Sequence, residues 1–390
     1  MAQNALHNMS APLATIPSTN IAALHMSTPD GLTITCHENR IPDFVESELE
    51  RLYASLYSSL AAFRVYGSLA QASTYVVRKD TEIIAIWLFR REQRQVRVLN
   101  EAISLPPDEV RRFAHTIFTL YREVELICFH AVQSEISGPP YPIHRYNCTE
   151  DSVLNLPATS EEYLARLGKP TRKNIKRYLQ RLKEAFPSFR YRIIPEGQAS
   201  EQQVRAIIGL NRARMANKGK TSGIDADEER RIIQLVQHCG LVAEATIEGR
   251  LCAGAIVYRF GDNYFSFVRA HDPAYNQHRL GLIGAYLLAD ACIARGGKEL
   301  HLMWGREPHK ALLQGIERHY DHLTLYRSRL HQLRHVDRWL KDLSAGHMRR
   351  MKLYLMDKAR QEESLAGRMT GSVLRGARYL KRAGQGLLRG

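Results

Sequence analysis

Arg279, Gly281 and Gly284 stand at the start of an apolar segment, and together they can do one recognisable piece of chemistry. Glycines in the first turn of a helix leave backbone N–H groups uncovered where the helix dipole is positive. Arg279 and His278 stand just ahead of them, and bare amides, a positive helix end and a guanidinium together suit a pyrophosphate. Close helix–sheet packing also uses glycine and is the competing role. A second polar group follows in the loop from Gly305 to Lys310. Glu307 and His309 lie just past the end of a strand-like run, where open α/β sheets place their ligands, and Asp272 follows another such run. A group-transfer reaction there would need a side chain to take a proton and hydrogen-bond donors for developing negative charge. Glu307, His309 and Asp272 are the candidate catalytic groups. Lys310 can bind a phosphate or an acidic acceptor, or pair with Glu307. Against this stands an ordinary helix start after Pro308 with routine polar residues.

The elements around these residues are readable. Tyr264, Phe265, Phe267 and Val268 give 263–270 the texture of a strand buried on both faces. An apolar helix runs to about Arg295, interrupted mainly by Asp290, and belongs against a sheet rather than on the surface. A strand over 299–303 comes next. Upstream, 241–247 and 251–258 form a hairpin across Glu248, Gly249 and Arg250; helices are expected over 201–217 and 227–238. Thr159 and Glu162 match a capping box. Pro170 precedes a basic helix over 171–186 that carries Arg172, Lys176 and Arg177. Strands over 74–77, 83–89, 96–99, 125–130 and 145–156, with a helix from Pro107 to Tyr121, repeat the same coarse order earlier in the chain. A last strand is expected over 323–327.

Asp272, Tyr275, Gly281, Gly305, Glu307 and Lys310, with His309 at an aromatic position, follow the spacing of a strand, Asp-x-x-Tyr, a glycine-started helix, and a strand ending in Gly-x-Glu-x-aromatic-Lys. Over roughly residues 72–330 the chain resembles the GNAT acyltransferase superfamily. More closely it resembles the CelD-like, Fem-related family linked to cellulose and exopolysaccharide clusters. The usual GNAT pattern is Arg or Gln, two residues, Gly, one residue, then Gly or Ala. Here His278 and Ile283 occupy the outer positions and Gly284 comes one place late, which implies a shifted register of phosphate contacts. The resemblance implies an α/β (α+β) fold of tandem GNAT-like units, mixed central sheets flanked by helices, with a basic helical C-terminal extension. It divides the chain into a disordered lead (1–40), a first half (41–158), a second half with the acyl-CoA site (159–330) and an extension (331–390). It also implies that the donor is acyl-CoA, held by His278, Arg279, Gly281, Gly284 and the main chain of Val268 and Ala270. Lys310, Arg172, Arg177 and Tyr275 would border an amine acceptor in the cleft between halves. The acceptors it allows are a cell-envelope sugar, a polysaccharide precursor or a lipid.

Composition bounds the alternatives. The net charge of +15 and pI near 9.6 call for anionic company such as CoA phosphates, nucleic acid or an anionic membrane. Residues 364–390 carry Arg368, Arg375, Arg378, Lys381, Arg382 and Arg389 with no acidic residue, and suit contact with an anionic membrane or a partner. Nucleic acid is the less favoured partner, because the basic helix has only Tyr178 as an interleaved aromatic. Six scattered cysteines read as reduced, packed thiols. The N-terminus lacks the charge and apolar core of a signal peptide, and no run reaches the length of a membrane span. The compartment expected is the cytoplasm, with a tail that can lie on the inner face of the membrane. His331 with His335, and His319 with His322, lack the companions of a zinc site, so no metal is expected. No Gly-x-Ser-x-Gly turn supports a Ser-His-Asp hydrolase. Two other readings keep the fold: an aminoacyl-tRNA-dependent Fem-type transferase, and a non-catalytic module recruited to a membrane.

Overall fold

The computed structural model describes residues 24–28, 31–67, 69–305 and 308–361. Its strands are β1 (Leu24–Ser27), β2 (Leu32–His37), β3 (Ser73–Lys79), β4 (Glu82–Glu92), β5 (Gln95–Val98), β6 (Leu126–Val132), β7 (Ile143–Asn155), β8 (Arg190–Ile194), β9 (Gly240–Ile247), β10 (Arg250–Phe260), β11 (Asn263–His271), β12 (Glu299–Trp304) and β13 (Ile316–Tyr326). The helices are α1 (Val45–Tyr53), α2 (Leu60–Val65), α3 (Pro107–Leu120), α4 (Ser160–Arg166), α5 (Lys169–Ala185), α6 (Glu201–Asn217), α7 (Ala226–Cys239), α8 (Leu280–Ile293), α9 (Pro308–Leu312), α10 (Arg329–Arg334) and α11 (Val336–Gln361).

The two expected sheets are one. All thirteen strands join in the order β1-β2-β3-β4-β5-β6-β13-β7-β12-β11-β10-β9-β8. The halves are fused by exchange: β7 leaves the first half to pair with β12, and β13 leaves the second to pair with β6. β7 and β13 pair antiparallel with each other at the centre. Each half contributes one parallel pair, β5–β6 and β11–β12. β1 and β2 fall within 1–40, expected as a disordered lead. Leu32, Ile34 and Cys36 alternate inward as β2 pairs with β3, which burial of one face requires.

Helices cover both faces. α8 is apolar nearly all round because it is sunk against the sheet: Leu280, Ile283, Leu288 and Cys292 pack with Tyr264, Leu300 and Leu302. α5 lies on that same face through Ile175 and Leu182. On the opposite face, Val204 and Ile207 of α6 and Ile232 and Val236 of α7 pack on Ile256, Tyr258, Phe265 and Val268. α6 comes close because Gly254 stands beneath it; a Cβ there would meet Ile207 at 2.5 Å. Thr159 caps α4, its Oγ1 accepting the Glu162 amide at 3.1 Å, while the Glu162 carboxylate accepts from Arg166 and does not complete the expected capping box. α11 extends along β7, with Gly346 against the Tyr146 ring.

Candidate active site

β11 and β12 begin as a parallel pair and then part. They are in register only at Asn263 with Glu299, Tyr264 with Leu300 and Phe265 with His301. From Ser266 to His271 β11 keeps its partner on one side, β10, and has none in β12. The β10–β11 register slips one residue at Phe267, where Val257 faces Ser266 and Ile256 faces Val268. Such a bulge bends the strand and re-aims its main chain. Orientation beyond the bulge follows from one hydrogen bond. Asp272 N–H donates to the Cys252 carbonyl at 2.8 Å, so the main-chain groups of Ala270 also turn towards β10, while those of Arg269 and His271 turn into the gap. The Arg269 carbonyl meets the Arg214 guanidinium of α6 there at 3.4 Å.

The first half contains the corresponding parallel pair, and there the gap is filled. Beyond the β5–β6 rungs, Ala102 N–H donates to the Ala131 carbonyl (2.7 Å), Gln133 N–H to Ile103 (2.9 Å) and Leu105 N–H to Gln133 (2.8 Å). Only the second half's pair stays open.

The start of α8 lies after β11, beyond a short 3₁₀ segment (Pro273–His278). Arg279 takes a left-handed conformation (φ 54°) at the helix N-cap, and no side chain among the described residues caps this first turn. The amides of Leu282 and Ile283 both turn back to the Arg279 carbonyl. Gly281 approaches the His271 ring so closely that a Cβ would stand 2.8 Å from it, whereas a Cβ on Gly284 would meet nothing. A side chain at 281 would therefore have to displace the His271 ring, and Gly284 leaves open space. Cations gather here. Arg177 donates to the Tyr178 hydroxyl at 3.4 Å, and its hydrogen bond, seconded by Arg279, holds that phenol below its ordinary pKa. Burial, then the charges of Arg214 and Lys218, lower the pKa of His271. An uncapped helix start with guanidinium groups beside it has the chemistry that suits an anion.

Beside the paired rungs of β11 and β12, and reaching their last rung at Phe265 and His301, a cavity of about 600 Å³ opens between the halves. Phe265, Glu299, His301, Arg318 and Tyr320 line it from the second half, and Trp87, Ser104, Glu109, Arg112 and Gln133 from the first. His301 is only 6% exposed. Its Nδ1 lies 2.6 Å from Asp151 Oδ2, and its ring stacks on Phe265 with centroids 4.2 Å apart. A carboxylate accepts but cannot donate, so Nδ1 carries the proton of this bond. Glu299 Oε2 stands 3.3 Å from Nε2 without hydrogen-bond geometry, and is itself gripped by Arg318 at 2.8 and 2.5 Å. Burial alone would lower the His301 pKa; the Asp151 hydrogen bond and the nearby carboxylates of Asp151 and Glu299 outweigh it and raise it. Glu299, despite its burial, is held down to about 2 by His301 and Arg318.

Of the residues singled out from sequence, the structure brings together Arg279, Gly281, Gly284, His278, Tyr275 and Arg177. His278 and Tyr275 both pack on the Phe186 ring, at 5.2 and 5.4 Å, so Tyr275 serves the helix junction. Arg172 is turned away, donating to the Ala165 carbonyl at 3.4 Å. The side chain of Val268 is core, and the alternation that turns Ala270 to β10 assigns the gap-facing main chain to Arg269 and His271. Asp272 caps the 3₁₀ turn, accepting the Ala274 amide at 2.9 Å, which occupies the carboxylate expected to be catalytic. Lys310 is 3% exposed, and its ammonium donates to the carbonyls of Met303 (2.7 Å), Trp304 (3.0 Å) and Gly305 (2.9 Å). It fastens the end of β12 and does not present its charge to a ligand. Glu307 and the side chain of His309 lie outside the described residues. The pair that sequence reasoning missed, His301 with Asp151, had a visible signal: charged and imidazole side chains placed inside otherwise apolar strands.

Residues 169–311 match a family model described as an acetyltransferase (GNAT) domain. The crystal structure of FemX superposes with a TM-score of 0.54 at 7% identity, covering 76% of this chain and 99% of that one. A conserved protein of unknown function from Bacteroides thetaiotaomicron VPI-5482 gives 0.49 at 11% identity, covering 73% and 96%. The L-PGS structure from Bacillus licheniformis gives 0.45 at 10%, covering 80% and 98%. At such identities the FemX likeness is one of fold. A comparison with curated proteins found no match. The mixed α/β architecture of tandem GNAT-like units is thus met by both the topology and the comparisons.

Proposed function

We propose that the protein is an acyl-CoA-dependent N-acyltransferase, moving an acyl group from CoA to an amine of a cell-envelope sugar, a polysaccharide precursor or a lipid. The observation that carries this reading is the parting of β11 from β12 with an uncapped, cation-ringed helix start at its mouth. A pantetheine arm is an extended chain with two amides, and it suits the gap-facing edge of β11, where β12 no longer pairs, as an added strand would. The diphosphate then falls to the α8 amides and Arg279, with Arg177, Arg214 and Lys218 supplying the surrounding positive field. The matched GNAT model supports the same donor.

The test is calorimetric titration with CoA and acetyl-CoA, joined to mass spectrometry of small molecules carried through purification. The proposal expects micromolar binding and CoA thioesters among the bound molecules. Absence of CoA binding, or an acyl-transfer activity abolished by ribonuclease, contradicts it.

The basic C-terminus belongs to the same reading. Residues 364–390 lie outside the described residues, but α11, which leads to them, leaves Leu340 (54%), Leu343, Met351 and Tyr354 (60%) exposed along one stripe. Lys341 and Arg350 are exposed beside it. An apolar stripe edged with cations fits an anionic lipid surface, which would bring the enzyme to a membrane-borne acceptor. Cosedimentation with phosphatidylglycerol vesicles should exceed that with phosphatidylcholine. It should fall about tenfold or more when Lys341→Glu and Arg350→Glu are combined, since each basic residue near such a surface contributes about 1 kcal/mol. Equal binding to both vesicles, or an unaffected double variant, removes the membrane from the account.

A further inference from the structure

The geometry points to the cavity between the halves as the pocket for the accepting amine, a polar amine of sugar size, with the His301–Asp151 pair taking its proton. This rests on the transferase reading above and narrows it.

Position comes first. Phe265 with His301 is the last rung before β11 and β12 part, and both residues line the cavity. A thioester carbonyl in the gap and an amine in the cavity therefore meet at that rung. The second observation is an unmet valence. Buried polar atoms are nearly always paired, yet His301 Nε2 and Asp151 Oδ1 have no hydrogen-bond partner among the described residues. Nδ1 is committed to Asp151, so Nε2 is the ring atom left to accept a proton. The ring cannot turn away, because Phe265 stacks beneath it and Asp151 holds its far side.

The lining decides the class of amine. Glu109, Arg112, Gln133, Glu299 and Arg318 face a space whose walls come from both halves. Glu109 pairs with Arg112 and Glu299 with Arg318, and a long alkyl chain laid against these ion pairs would strip their remaining water and return no hydrogen bonds, a desolvation cost that buried ion pairs do not readily offset. A hydroxyl-bearing amine returns those bonds. The volume of about 600 Å³ accommodates a sugar ring with substituents and lies within the ordinary range for small-molecule sites.

The step balances without any further reactant. The ammonium first gives one proton to water. Its nitrogen then attacks the thioester carbonyl, the C–N bond forms, and the nitrogen's excess proton passes to His301 Nε2. The C–S bond breaks, CoA leaves as thiolate, and the imidazolium's proton is returned to the thiolate or to solvent. Charged and titratable groups around the ring are Asp151 from β7, Glu299 from β12, Arg318 and Tyr320 from β13, and Tyr57 beside Asp151. The two carboxylates favour the imidazolium, so His301 becomes a competent base only as pH rises past the ordinary imidazole value of about 6.5.

The experiment measures thiol release from acetyl-CoA with glucosamine, galactosamine and, as the apolar counterpart, octylamine. Wild type should be stimulated by a sugar amine and not by octylamine, with kcat rising through a pKa above about 6.5. His301→Gln should lower sugar-stimulated kcat by about 10²–10⁴-fold and erase that rise, as loss of a general base does. Asp151→Asn should weaken the same limb, and Ser104→Trp, reaching in from the first half, should raise the KM for the amine. All three should bind CoA within about twofold of wild type by calorimetry, which also reports that they are folded. Stimulation by octylamine alone, by no amine, or undiminished in His301→Gln overturns the proposal while leaving the donor site standing. Failure of wild type to bind CoA overturns the transferase reading and this proposal with it.

Discussion

Arg279→Glu weakens CoA binding by about 100-fold, or about 2.7 kcal/mol, and the loss shrinks at high salt. Two effects combine in that variant. A guanidinium is removed from the helix start, where a charge-assisted hydrogen bond to phosphate contributes about 1.5–3 kcal/mol, and a carboxylate is set against the diphosphate in its place. The helix itself should be untouched, because Arg279 is exposed and no side chain caps α8. Acidic residues are welcome in a first helical turn, so the thermal midpoint should hold while affinity falls. Titration of wild type and variant at two ionic strengths checks both halves of the expectation. An unchanged affinity removes phosphate from this helix start.

Lys310→Met should be among the most destabilising single changes in the second half. The ammonium is buried and hydrogen-bonds three consecutive carbonyls, those of Met303, Trp304 and Gly305. These carbonyls converge because Met303 (φ 62°) and Gly305 (φ 93°) turn the end of β12 in a left-handed sense. Methionine keeps the side-chain length but donates nothing, and an orphaned buried acceptor costs about 1–3 kcal/mol. Some carbonyls will find water, so we expect a loss of about 3 kcal/mol, measured by urea unfolding at constant slope. Since β12 carries His301, catalytic loss should follow in proportion to the unfolded fraction. A stable variant with selectively lost activity would instead return Lys310 to the role read from its loop position.

That contrast shows where sequence is informative. β11, α8 and β12 were legible because burial on both faces writes a continuous apolar run, and Leu280–Ile293 has almost no polar face. The glycine at 281 was legible as a close approach, although its neighbour proved to be the His271 ring as well as the helix's own open end. β13 was seen only in its final third. Glu317, Arg318, His319, Tyr320, Asp321 and His322 carry no strand pattern and fell outside the expected element, yet they belong to a strand at the centre of the sheet, and Arg318 and Tyr320 face the cavity. A strand that carries a site loses the apolar pattern by which strands are found. The same trade hid Asp151 and His301. Strand exchange left no local trace, because β7 and β12 are paired across some 150 residues of chain by register alone. Lys310 was misread because position in a loop says nothing about which way the backbone carbonyls will turn.

The central claim is that the second half's opened strand pair receives the donor while the first half's counterpart is closed. Hydrogen exchange with and without CoA tests it most directly. The account predicts new protection in peptides covering Ser266–His271 and Arg279–Gly284, with Ile103–Leu105 and Ala131–Gln133 unchanged. Protection confined to the first half, or CoA binding that leaves β11 amides exchanging as before, would contradict it.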